Sequence, residues 1–119
     1  MDKRNDNLIV NKTEAFAVKI ISFHQKIKTA GIESMAVQLF RSGTAIGANV
    51  REAQNSESKK DFIHKMKLAA KEADETEYWL NLCRKSELLP DPGELENEIE
   101  FISKKFNKII ASSKRTMVQ

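Results

Sequence analysis

The chain has 119 residues, 40% hydrophobic and 31% charged, enough for one core beneath a heavily charged surface. Four glycines, two prolines and a single cysteine argue against sandwiches, collagen-like arrays, low-complexity disorder and disulfide-stapled secreted scaffolds. Twenty Lys and Arg against 17 Asp and Glu leave a net charge of +3, too mild by itself to name a nucleic-acid partner.

No apolar run approaches the ~18 residues of a membrane span, and no apolar segment follows the charged start MDKRNDNLIVNKTE. A cytoplasmic protein without membrane contact is expected. The first helical pattern runs over 13–29, where Phe16, Ile20, Phe23 and Ile27 recur at helical spacing with Ala17 and Ile21 beside them. Asn11 or Thr13 can cap it, and Gly31 supplies a left-handed stop. The second covers 34–53, with a stripe of Ala36, Leu39, Phe40, Gly43, Ile46, Gly47 and Val50. Each interior glycine costs about 1 kcal/mol against alanine. Their place on the apolar stripe therefore implies close approach of another helix.

Ser56 or Ser58 can cap the third and longest pattern, 59–88, whose stripe is Phe62, Met66, Ala69, Ala73, Thr76, Leu80 and Cys83. Pro90 and Pro92 end it, since proline cannot extend the backbone ladder. The fourth spans 92–113, with Asp91 as cap, Pro92 in the first helical position and Glu94 in the third. Its stripe is Leu95, Ile99, Ile102, Phe106 and Ile109, and its charge changes from acidic to basic along the helix dipole. No strand alternation competes with these patterns. The expected fold is all-α: one domain, an antiparallel up-down-up-down four-helix bundle.

Reflecting the last two helices about Pro90 brings Arg84 level with Glu96, and Glu72, Asp74, Glu75 and Glu77 level with 103–108. Lys59, Lys60, Lys65, Lys67 and Lys71 crowd the first half of the long helix, where the dipole prefers acids. The first few of them fall near Lys114 and Arg115, and Lys3, Arg4, Lys12 and Arg51 should reach the same end. Lys59, Lys60, Lys65, Lys67, Lys71, Lys114 and Arg115 are the candidate nucleic-acid contacts. The competing reading is a solvated helix surface diluted by Asp2, Asp6, Glu14, Glu52, Glu57 and Asp61.

Catalytic chemistry finds little footing. Two histidines, His24 and His64, give only a lone Asp61/His64 echo of a bundle metal motif, so no metal and no cofactor are expected. Cys83 lies on an apolar stripe and reads as a buried structural thiol. The acids at 72–77 have no nucleophile, metal or oxyanion donors to work with, so no enzyme is expected. Glu77 borders the stripe, and Arg41 is its candidate structural ion-pair partner. Tyr78 and Trp79, off the main stripe, are candidates for a subunit interface.

Two stretches, QLFRSGTAIGANVREA at 38–53 and FIHKMKLAAKEADETEYWL at 62–80, together resemble the bacterial four-helix-bundle family labelled as 23S ribosomal RNA intervening-sequence proteins, the S23-like group. Arg41, Ser42, Ile46, Gly47, Asn49 and Glu52 match the first motif; Phe62, Ala70, Glu72, Glu77, Tyr78, Trp79 and Leu80 match the second. Gly43 departs from the alanine expected there. The resemblance implies a homo-oligomer, a pentameric barrel. The group is also similar to the accessory variability determinant of diversity-generating retroelements, a pentamer that binds nucleic acid and a reverse transcriptase. RNA or DNA, and alternatively a protein partner such as a polymerase, are thus the expected partners.

Overall fold

The structure is a computed structural model that describes the backbone of residues 3–117 and the side chains of residues 8–117. Four helices follow one another: α1 Lys3–Thr29, α2 Glu33–Gln54, α3 Lys59–Lys85 and α4 Leu95–Met117. Each packs on its chain neighbours and α4 closes against α1, while the diagonal pairs stay apart. Short connections make every neighbouring pair antiparallel, and the result is a four-helix bundle 51 × 21 × 20 Å.

The stripes become the core. Phe16, Ile20, Ile27, Leu39, Ile46, Phe62, Met66, Leu80, Ile99, Ile102 and Phe106 are all essentially fully buried. Two stripe assignments fail at their edges: Phe40 and Ile21 remain 39% and 48% exposed. Both lie on the α1/α2 flank, where the Phe40 and His24 rings meet tilted at 59° with centroids 4.8 Å apart.

Helix α1 begins ten residues earlier than its spacing suggested. Ile9 is buried, which extends the stripe upstream, and Thr13 is an interior residue instead of a cap. Its hydroxyl donates to the Ile9 carbonyl at 2.8 Å, the back-bond open to a mid-helix threonine. Asn11 is likewise inside the helix. Gly31, at φ 92°, ends it as expected: Ile32 N–H reaches the Ile27 carbonyl and Gly31 N–H the Lys28 carbonyl, a Schellman closure.

Ser58 caps α3, accepting from the Asp61 N–H at 3.0 Å. The helix stops at Lys85, three residues short of expectation, because Ser86 turns to extended backbone. Asp91 does not cap α4. Its carboxylate accepts from the Gly93 N–H at 2.9 Å, and Gly93 at φ 58° interrupts the chain before Leu95. Asp91 and Pro92 therefore build the turn ahead of the helix, and α4 runs on to Met117 instead of ending at 113.

Gly43 and Gly47 are the points of closest approach between α1 and α2. A Cβ at Gly43 would lie 2.8 Å from Ile20 Cγ2, and one at Gly47 would lie 3.3 Å from the Thr13 carbonyl oxygen. The two glycines serve packing within the bundle.

Candidate nucleic-acid interface

Antiparallel order places the start of α3 beside the end of α4, so the lysine-rich half of α3 faces the basic tail of α4. After Glu100 the sequence holds five cationic residues and no acid. At this end Lys59 Nζ donates to the Thr116 hydroxyl, and the Lys114 side chain comes near that of Lys67. The close approach of the Lys114 side chain, and the positive charge it carries, pull the Lys67 pKa below its ordinary value.

The other sequence candidates divide. Lys60, Lys71 and Arg115 are exposed, and Lys60, His64, Lys67 and Lys71 share one exposed row at helical spacing on α3. Lys65 is tied to Glu52 of α2 at 3.3 Å. Lys71 feeds the charge field of Glu75. Among the described residues no carboxylate pairs with Lys60, Lys67, Lys114 or Arg115. The side chains of Lys3 and Arg4, and those of Asp2 and Asp6, lie outside the described residues.

Two of the acids of α3, Glu72 and Glu75, do not face α4 as the reflection suggested. Arg84 does meet Glu96, at 3.0 Å, but Glu72 and Glu75 turn to α2 and hold Arg41 between them. The expected Arg41–Glu77 pair is therefore corrected. Positions 72, 75 and 79 share one face of α3, whereas 77 lies about 200° around the helix from 75. Arg41 Nη1 is 3.1 Å from Glu72, and Nη2 bonds Glu75. Glu75 also accepts from the Trp79 indole N–H at 3.0 Å, and that bond, with Arg41 behind it, holds its carboxyl below the usual range. Trp79 is half-buried against the core, while Tyr78 beside it is 56% exposed.

A site that the sequence did not single out lies on the α1/α4 seam. Phe101 is 43% exposed, and the ammonium groups of Lys12 and Lys105 stand 5.5 and 5.4 Å from its ring centroid. Beside it opens a groove of about 330 Å³ lined by Lys12, Lys19, Glu94, Asn97 and Glu98, with Lys19 bonded to Glu98. The available signal was the row Phe101, Lys105, Lys108, Ser112, Arg115, which recurs at helical spacing outside the apolar stripe. Cys83 is buried, and desolvation pushes its thiol up to about 11. Among the described residues no three His, Cys, Asp or Glu side chains group as metal ligands, and no helix is long and apolar enough to cross a membrane.

No curated protein matches the chain. A crystal structure from Bacteroides thetaiotaomicron VPI-5482, described as a protein with unknown function from the S23 ribosomal protein family, superposes with a TM-score of 0.83. It is 39% identical, over 90% of this chain and 98% of that one. Residues 5–108 match the family described as 23S rRNA-intervening sequence protein, and the chain belongs to that family.

Proposed function

We propose that the protein is a non-catalytic, cytoplasmic homo-oligomer that holds structured RNA or DNA by its phosphates, on the end of the bundle where α3 begins and α4 stops. The observation that carries this is the cationic end itself: the lysine-rich start of α3 lies beside the acid-free tail of α4, and the Lys67 and Lys114 side chains come near enough for one to lower the pKa of the other. Two ammonium groups brought together without a carboxylate repel one another in the free protein. A phosphate between them converts that repulsion into charge-assisted hydrogen bonds. Lys60 and Arg115 widen the patch, and Lys59, Lys65 and Lys71 lie at its margin.

A net charge of +3 is small for such a task, and assembly supplies the remainder. A ring of copies, pentameric as the resemblance implies, repeats the patch and turns modest affinity per chain into avidity. Tyr78, exposed on α3, is the residue offered to a neighbouring subunit. The test is titration of labelled structured RNA and duplex DNA at two salt concentrations, with wild type and with Lys59, Lys60, Lys65 and Lys67 all replaced by Glu. Binding should fall steeply with salt and disappear in the variant. Salt-sensitive binding that survives the replacements rejects this surface.

A second reading rests on Val37 and Phe40, both exposed on α2. They would let the bundle dock a protein such as a polymerase without touching nucleic acid. Absence of nucleic-acid binding at low salt by an intact oligomer favours it.

A further inference from the structure

The seam between α1 and α4 carries a second arrangement of charge, built around an aromatic ring instead of a pair of cations. Along α4 the row Phe101, Lys105, Lys108, Ser112 and Arg115 stays on one side of the helix and leads from the middle of the bundle to its basic end. Lys12 of α1 reaches across to the same ring that Lys105 approaches from one turn further along α4. Among the described residues neither Lys12 nor Lys105 has a carboxylate partner. The two ammonium groups hold the exposed ring by cation–π attraction and remain open to an anion.

The adjoining groove mixes apolar and polar chemistry. Phe16, Phe101 and Ile102 form its wall, and Lys12, the Asn97 amide, the Glu94 carboxylate and the Lys19–Glu98 ion pair complete its lining. Its volume of about 330 Å³ lies at the lower end of small-ligand sites. We infer that this groove is a stacking site for one unpaired nucleotide of an RNA or DNA strand. Phe101 takes the base face, Lys12 and Lys105 take the flanking phosphates, and Asn97 faces the base edge. Lys108 and Arg115 then carry the strand toward the Lys67–Lys114 patch. The inference rests on the nucleic-acid reading above and adds that the strand is single where it crosses α4. Ring stacking tolerates any base, because every base presents a π-face, so weak sequence preference is expected.

The experiment compares Phe101→Ala, Phe101→Leu and Phe101→Tyr with wild type on labelled oligo-uridine and oligo-thymidine octamers and on a duplex of equal length. Phe101→Ala and Phe101→Leu should weaken single-strand binding about 5- to 100-fold and leave duplex binding unchanged, with Tyr retaining wild-type affinity. A 2-aminopurine placed in the octamer should change its fluorescence on wild type and not on Phe101→Ala. Unchanged single-strand affinity in Phe101→Ala, or equal losses on both probes, overturns the site. Wild type binding duplex alone overturns it and leaves the basic end standing. Binding to neither probe removes both. A change in oligomeric mass by light scattering in Phe101→Ala would make the ring a subunit contact and also overturns it.

Discussion

The hydroxyls of Thr76 and Ser42 share a 2.9 Å hydrogen bond between α3 and α2 in the middle of an apolar core. The Thr76 oxygen also lies 2.8 Å from the Glu72 carbonyl, whereas Ser42 has only a 3.5 Å approach to the Leu39 carbonyl. Just outside this pair, Glu72 and Glu75 hold Arg41. The α2/α3 register is thus specified twice, once by a buried polar contact and once by ions at the rim.

The pair predicts unequal single-site losses. Thr76→Val strands the Ser42 hydroxyl and should cost about 1–3 kcal/mol, whereas Ser42→Ala leaves Thr76 bonded to Glu72 and should cost less. The double variant should be more stable than the sum of the two implies, because no polar group is then left unpaired. Urea denaturation of the three proteins measures this. Strict additivity would contradict the coupling.

Gly43 invites the opposite kind of substitution. Alanine there gains about 1 kcal/mol of helix propensity but drives a methyl to 2.8 Å from Ile20 Cγ2 and 2.9 Å from Cγ1. Ile20 is wholly buried and branched at Cβ, so it has little room to move. Overpacking costs of about 1–3 kcal/mol should win, and Gly43→Ala should lower the melting temperature. In an Ile20→Ala background the same change should be neutral or stabilising. A melting temperature raised by Gly43→Ala alone would mean that the helices separate without cost.

The helices and most core positions were legible in the sequence because packing here follows the 3.6-residue period with few interruptions. What escaped depended on a partner across the bundle. Thr13 can serve either as a cap or as an interior back-bonding residue, and the burial of Ile9 one turn earlier settles which. Asp91-Pro92 has the composition of a helix start, but the positive φ of Gly93 resets the backbone behind it. Arg41 had four carboxylates at 72–77 to choose among, and only the rotation of α3 toward α2 selects Glu72 and Glu75 over Asp74 and Glu77. The lysine end was legible as charge density. The contact of Lys67 with Lys114, and the place of Phe101 between two cations, required the packing of both seams.

Cys83 should make stability fall at high pH. Its thiol is pushed up to about 11 in the folded protein from 9.0 in the open chain. Below pH 9 both states keep the proton and the contribution is whole. Between 9 and 11 only the unfolded state releases it, so stability declines by on the order of 2 kcal/mol and then levels off. Cys83→Ala should reduce that decline, whatever it costs at neutral pH through its cavity. Urea midpoints at pH 8.5 and 10.5 for both proteins provide the comparison, and parallel losses would assign the decline to other groups. The same protonation predicts slow alkylation by iodoacetamide at pH 8 in the native state and fast alkylation in urea.

Single charge reversals at the α3/α4 end should separate binding from stability. Lys67→Glu replaces a repelling pair with an attractive one against Lys114, so the melting temperature should hold or rise while affinity for RNA or DNA falls. Lys65→Glu instead sets a carboxylate against Glu52 and should weaken the fold more than the binding. Each lysine that contacts phosphate should also flatten the dependence of log affinity on log salt by about 1 when neutralised. Lys67→Gln and Lys114→Gln should each do so, and Lys65→Gln should do so less, since its ammonium is already occupied. Thermal melts alongside titrations at several salt concentrations test the whole set. Equal salt slopes in all three Gln variants would mean that the Lys67–Lys114 contact confers nothing on the phosphate site beyond its charge.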